Sequence, residues 1–382
     1  MNLPANFTYV GVDDHDIDLF EGQFVVPNGI SYNSFIIQDE KIAVMDSVDK
    51  HFTDQWLTNI KEVLGQKTPD YLVVSHMEPD HSGSIQAFME AFPNTTIVLN
   101  AKSAPMLEKY FGANYSEQTL IVKNEDTLSL GEHTLTFIFA PMVHWPEVMM
   151  SYEPTTKTIF SADAFGKFGV LSHNEEWACE ARRYYFGIVA PYGKQVQNTL
   201  KKLGSFEIER ICPLHGPILD HDLDTYLSLY NTWSSYEAET KGVAIAYASV
   251  YGHTKVAAEK LAELLSAKGT SVELHDLTRG DEAEAIEDAF RYTTLVCASV
   301  TYNGSMFPAM RNFLADLVEK KYQNRTVAFI QNGSWAPAAT KAMKSTLEGC
   351  KNITFCEQEV SVAGALTPET EKELELLANA LA

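Results

Sequence analysis

The chain has 382 residues, 45% hydrophobic and 21% charged, a composition that allows a full globular core spread over two domains or three. Its formal net charge is −22, which argues against nucleic-acid or anionic-membrane partners, because those need clustered Lys and Arg. The acidity is read as a solubility property.

In chain order, Ser34–Gln38 and Ile42–Asp46 flank the polar turn Asp39-Glu40-Lys41 and predict a β-hairpin. A helix is expected over about His51–Leu64, closed by Gly65. Tyr71–Ser75 reads as a buried strand that runs directly into His76-Met77-Glu78-Pro79-Asp80-His81. Further strands are expected at Thr96–Leu99, Thr134–Phe139, Val148–Tyr152 and Thr158–Ser161. Helices are expected at about Gly83–Phe92, Ser103–Phe111, Gln195–Leu203 and Leu223–Glu239. From Gly242 onward strands and helices alternate. The strands are Val243–Ala248, Ser271–His275, Thr294–Ala298, Thr326–Ile330 and Asn352–Phe355. The helices are about Thr254–Lys268, Ala283–Phe290, Pro308–Val318, Ala336–Leu347 and Pro368–Leu381. Five β/α repeats predict a doubly wound parallel sheet, and the domain boundary is placed near Lys241, giving domains 1–241 and 242–382.

The five cysteines are Cys179, Cys212, Cys297, Cys350 and Cys356, and no two form a Cys-x-x-Cys pair. A disulfide framework or a thiolate-held metal is not expected, and scattered thiols fit a reducing cytoplasm. The N-terminal residues carry no secretory signal pattern. No window reaches the roughly 18 uninterrupted apolar residues of a membrane-spanning helix.

In an open α/β sheet, ligands bind beyond the carboxyl ends of the strands. Three loops at that edge stand out. Ser249-Val250-Tyr251-Gly252-His253-Thr254 is rich in hydroxyls and opens a helix, where backbone amides can hold a phosphate. It has neither a P-loop Gly-Lys-Ser/Thr nor a Gly-x-Gly-x-x-Gly, so a phosphomonoester held without lysine or magnesium is expected, which suits FMN. Ser299-Val300-Thr301-Tyr302-Asn303-Gly304 and Asn332-Gly333-Ser334-Trp335 each place an aromatic beside Gly and Asn. Such aromatics can stack on an isoalloxazine ring while amides bond its polar edge. Ser, Asn and Gly are common in any strand-to-helix connection, but three such loops at one edge, in order, favour a ligand. With these loops, residues 242–382 resemble flavodoxin.

His76, Glu78, Asp80 and His81 place four ligand-type side chains within six positions. One histidine of this kind is commonly structural. Burying four such groups without a metal is costly, so a metal site is expected. His144, Asp163 and His215 stand at strand or loop ends and are candidates for the remaining ligands. The order His-x-x-x-Asp-His, His, Asp, His resembles the metallo-β-lactamase fold, an αββα sandwich that binds two metals. That pattern has His where this chain has Glu78. Imidazole-rich sites suit zinc, and added carboxylate shifts preference toward iron.

The combination resembles the flavodiiron proteins, or A-type flavoproteins, over essentially the whole chain. The resemblance implies that His76, Glu78 and His144 hold one iron, that Asp80, His81 and His215 hold the other, and that Asp163 bridges the two. It also implies a two-domain oxidoreductase with FMN and two non-haem irons, reducing O2 to water and/or NO to N2O. Without Cys-x-x-Cys pairs a fused rubredoxin module is not expected, and the electrons would come from a separate donor such as a rubredoxin. The resemblance further implies a head-to-tail homodimer, or a dimer of dimers, and the scattered thiols with no secretory signal lead to the expectation of a cytoplasmic location. A dizinc hydrolase and a flavodoxin-like electron carrier with a vestigial metal domain are the competing readings. Glu78 and the flavin loops oppose the first, and the complete ligand set opposes the second. Glu147, after Trp145-Pro146, departs from the aspartate of the family pattern.

Overall fold

The computed structural model describes residues 3–173 and 175–382. It divides into two compact units, Met1–Tyr185 with Lys194–Asn231, and Phe186–Gly193 with Thr232–Ala382. Lys241 lies inside the second unit. Among the described residues no helix is long and apolar enough to cross a membrane.

The first unit is built on two sheets. One has six strands in the spatial order Phe7–Tyr9, Phe35–Gln38, Ile42–Met45, Tyr71–Val73, Thr96–Asn100 and Thr119–Val122. The expected hairpin forms its second and third strands, with Phe35 opposite Met45 and Gln38 opposite Ile42. The other sheet runs Thr127–Ser129, Thr134–Phe139, Met149–Glu153, Thr158–Phe160 and Arg210–Cys212. Alternate residues of the two sheets face each other in one core. Phe35, Ile37, Met45, Val73 and Val98 come from the first sheet, and Leu135, Phe137, Met149 and Phe160 from the second. The helix Thr53–Leu64 buries Trp56, Ile60 and Leu64, and Trp56 packs on Phe88 of the helix Ile85–Ala91 at 5.3 Å between ring centroids.

The second unit is a parallel sheet in the order Val272–Asp276, Thr240–Ala248, Tyr292–Tyr302, Thr326–Asn332 and a divided fifth strand. That is the flavodoxin-like order 2-1-3-4-5. The helices His253–Ala267 and Pro368–Leu381 bury Leu261, Leu265, Leu374 and Leu377 against Val243, Ile245, Val296 and Ile330. Glu282–Arg291, Pro308–Glu319 and Ala339–Leu347 pack on strand residues of alternate parity, such as Ala246, Cys297 and Phe329.

The strands Phe7–Tyr9, Thr119–Val122, Thr127–Ser129 and Arg210–Cys212 were not among the expected elements, and three further elements differ from the sequence expectation. The fifth strand, expected at Asn352–Phe355, is two pieces, Thr354–Phe355 and Val360–Val362. Phe355 pairs with Val327 and Val360 with Ile330, so four residues on one strand oppose two on the other, and the excess is taken up as a bulge within the largely polar Cys356–Glu359. The helix from Leu223 ends at Ser234 rather than Glu239, where Tyr236 takes a left-handed φ of 59°. A helix at Trp177–Tyr184, followed by a π-helical turn over Tyr185–Val189, has no counterpart in the expected elements.

Candidate functional site

The segment after the Tyr71–Val73 strand turns straight into one short helical turn, Pro79–Ser82. Pro79 occupies its first position, where the missing N–H costs nothing and the ring keeps Glu78 extended, at φ −59° and ψ 140°. Glu78 therefore points from the loop while Asp80 and His81 point from the turn. The turn is tied down by Ser47, whose hydroxyl donates to the His81 carbonyl at 2.8 Å, and by Ser82, whose hydroxyl donates to the Met77 carbonyl at 2.9 Å. Gly83 closes it because a Cβ there would lie 2.5 Å from the Pro79 carbonyl oxygen and 2.9 Å from the Lys50 amide.

The other three candidates arrive from loops of the second sheet. His144 follows the Thr134–Phe139 strand. Asp163 sits in a tight turn held by the bond from the Ser161 hydroxyl to the Ala164 carbonyl at 2.7 Å. His215 is oriented by its Nδ1–H, which donates to the Ser31 carbonyl at 2.7 Å and leaves Nε2 facing inward.

These seven side chains fall into two groups, His76, Glu78, His144 and Asp163, and Asp80, His81 and His215. In the first, His76 Nε2 lies 3.1 Å from Glu78 Oε2 and 3.2 Å from Asp163 Oδ2, and His144 Nε2 lies 2.9 Å and 3.2 Å from the same atoms. In the second, His81 Nε2 is 3.1 Å from Asp80 Oδ2 and 3.0 Å from His215 Nε2. The two carboxylate oxygens of Asp163 divide between the groups, with Oδ1 at 3.3 Å from His81 Nε2. Donors about 2.1 Å from a shared metal sit roughly 3–3.5 Å apart, so these spacings match ligands around two centres.

The site also fits metals electrostatically. Both carboxylate oxygens of Asp80 and of Asp163 are buried without a hydrogen-bond donor. Buried acceptors without partners are costly, and a cation is what would satisfy them. Burial pulls the His81 imidazole down in pKa, but the Asp80 and Asp163 carboxylates outweigh it and hold it up at about 10. His144 is likewise held up at about 9, against burial, by Asp163 and Glu78. Aromatic rings wall the site. Phe20 and Tyr184 each pack 5.4 Å from His215, and Trp145 packs 5.1 Å from His76.

One residue beside this site had been visible only as a departure from pattern. Glu147 Oε1 accepts the His76 Nδ1–H at 2.7 Å and the Met77 amide at 3.0 Å. Tyr184 lies on the unexpected Trp177–Tyr184 helix and gave no motif signal.

In the second unit, a cavity of about 600 Å³ opens at the carboxyl edge of the parallel sheet. That is within the usual range for a cofactor pocket. The three expected loops line it, through Ser249–Tyr251, His253–Thr254, Val300–Gly304 and Asn332–Trp335. Gly252 and Ser299 do not. Gly252, at φ 90°, caps the helix His253–Ala267 with no side-chain hydrogen bond, so the first-turn amides remain available to an anion. Ser299 is turned inward and accepts the Phe307 amide at 3.1 Å. Tyr251 and Trp335 stand 91% and 82% exposed, as rings do when they form the open walls of a pocket. Gly364 also lines it and exchanges hydrogen bonds with the Asn332 side chain at 2.9 and 3.0 Å. Its loop follows Val360–Val362, the piece of fifth strand that local pattern does not reveal.

Thr254 is buried at the start of that helix, and its hydroxyl is the side-chain donor expected at the phosphate. Thr254→Ala should raise the FMN dissociation constant about tenfold, the effect of losing one charge-assisted hydrogen bond. Bound iron should not change. Flavin fluorescence titration checks the first outcome and metal analysis the second. An unchanged FMN affinity would remove Thr254 from the phosphate site.

Comparison with known proteins bears on both units. Residues 30–216 match the family model described as ODP family beta lactamase, and residues 244–367 match a flavodoxin domain model. The chain is 30% identical over 368 residues to the nitric oxide reductase of Moorella thermoacetica, covering 92% of this chain and 91% of that protein. It resembles the rubredoxin oxygen:oxidoreductase of Desulfovibrio gigas with a TM-score of 0.91 and 26% identity, over 100% of this chain and 97% of that one. The flavodiiron protein of Giardia intestinalis gives a TM-score of 0.93 and 25% identity, over 99% and 95%. The chain spans about half the length of the cyanobacterial diflavin flavoproteins that it also matches.

Proposed function

Because this chain belongs to the flavodiiron protein family, we infer that it is an oxidoreductase using FMN and a non-haem diiron centre to reduce O2 to water and/or NO to N2O. The observation that carries this reading is Asp163, buried, with one oxygen toward each of two His/carboxylate groups and no hydrogen-bond donor on either. His76, Glu78, His144 and Asp163 would hold one iron, and Asp80, His81, His215 and Asp163 the other. When bound, FMN supplies electrons singly or in pairs, and the iron pair supplies a reducing centre for the diatomic substrate. The chain's own residues set the conditions. The Ser31 carbonyl fixes the His215 ring, and Glu147 fixes that of His76, each through Nδ1–H. Phe20, Tyr184 and Trp145 keep bulk water from the buried ligands. In the second unit, the first-turn amides of the helix from His253 and the Thr254 hydroxyl would hold the phosphate, while Tyr251, Tyr302 and Trp335 would provide ring faces for the flavin.

The proposed electron donor is a reduced protein, and rubredoxin, which the name of the Desulfovibrio gigas relative mentions, is the candidate. A head-to-tail homodimer, which would bring the FMN of one subunit to the iron pair of another, and a cytoplasmic location complete the proposal. The test is metal and flavin analysis of the purified protein, followed by turnover of the FMN-reduced, anaerobically prepared enzyme with O2 and with NO in parallel. Iron, FMN and consumption of at least one gas are expected. A zinc-loaded protein inactive toward both gases would overturn the reading.

A further inference from the structure

The two ligand groups are matched in their first carboxylates, Glu78 in one and Asp80 in the other, with Asp163 shared. What lies behind the histidines is not matched. His76 Nδ1–H donates to the carboxylate of Glu147 at 2.7 Å, and both side chains are fully buried. The same Glu147 oxygen accepts the Met77 amide, so the carboxylate is oriented from two directions. On the other side, His215 Nδ1–H donates to an uncharged backbone carbonyl, that of Ser31, and His81 Nδ1 has no hydrogen-bond partner. Asp46 does not break the symmetry in the same way. Its carboxyl bonds the Ser75 amide and lies within electrostatic reach of both His81 and His76.

We infer that Glu147 makes the two iron positions electronically unequal, its buried negative charge favouring the ferric state at the position held by His76, Glu78 and His144. The inference rests on the diiron reading. An anion bonded to a ligating imidazole makes that ligand more basic and lowers the potential of the metal it holds. On stepwise oxidation of the diferrous protein, the first electron, taken up by an oxidised mediator dye, therefore leaves the His76-side iron ferric and the other ferrous. The second electron leaves at a higher potential. Glu147 touches neither substrate nor metal and acts as a positioning residue through His76.

The experiment is a mediated redox titration of the iron-loaded holoenzyme, followed by the electron paramagnetic resonance signal of the mixed-valent state, with iron content and circular dichroism measured alongside. In the wild type, a mixed-valent signal should accumulate at mid-titration. In Glu147→Gln, which keeps the shape and removes the charge, the two midpoints should converge and the peak signal should fall by roughly half or more. Glu147→Asp, which keeps the charge, should stay close to the wild type. Failure of the mixed-valent signal to accumulate in the wild type overturns the inference even if the glutamine variant does not fold. An unchanged signal in an iron-replete Glu147→Gln does so as well, and so does a loss in Glu147→Asp as large as in Glu147→Gln. A wild type that binds zinc, or no metal, instead defeats the diiron reading beneath it.

Discussion

Asp163→Ala should yield a folded protein that binds FMN but retains little iron, with O2 and NO reduction reduced at least roughly 100-fold. Even an outer partner of a metal ligand costs 10–100-fold when removed. In the proposed site Asp163 is itself a ligand to both irons. Its Oδ2 is 3.2 Å from both His76 and His144 Nε2, and its Oδ1 is 3.3 Å from His81 Nε2. Deleting the carboxylate takes one donor from each group and removes the only side chain they share. The fold should survive, because both oxygens are buried without hydrogen-bond donors and their removal leaves no backbone group unpaired. Metal analysis, flavin absorbance and gas consumption on one preparation distinguish loss of iron from loss of fold. Full turnover in this variant would sink the bridging assignment.

Glu78→His should redirect the site from iron to zinc. Glu78 Oε2 stands 3.1 Å from His76 Nε2 and 2.9 Å from His144 Nε2, so an imidazole in its place would complete a three-histidine set. Such sets favour tetrahedral zinc, whereas mixed carboxylate and imidazole ligation suits iron. Reconstitution of the metal-free variant with equal iron and zinc should give a lower iron-to-zinc ratio than the wild type. Reductase activity should fall at least roughly 100-fold, since zinc has no redox chemistry and a ligand change exceeds an outer-partner change. Should the variant keep iron and turnover, Glu78 would not be what selects the metal.

The sequence and the tertiary structure contributed different parts of this picture, for a physical reason. The second unit was legible because its signals are local. Buried apolar strands alternate with amphipathic helices, and a parallel sheet leaves few other ways to bury them. The core of the metal motif was legible for the same reason. His76, Glu78, Asp80 and His81 lie on one strand-to-helix turn, and Pro79 and Gly83 shape it from within a few residues. The Trp177–Tyr184 helix was not legible. It buries Trp177, Ala181 and two arginines, so its pattern lacks a clean apolar stripe. The divided fifth strand was hidden by its polar bulge, and with it the Gly364 wall of the flavin pocket.

By itself, the sequence determined the fold class, the two-domain organisation and the types of side chain available as ligands, and family resemblance supplied a proposal for how they sort. Only the tertiary structure decided which atoms meet. It placed the Asp163 oxygens on opposite groups, set the Ser31 carbonyl behind His215, and put Glu147 behind His76. Each of these pairs joins residues far apart in the chain. Their distances are set by how the two sheets stack, and no local pattern of residues encodes that.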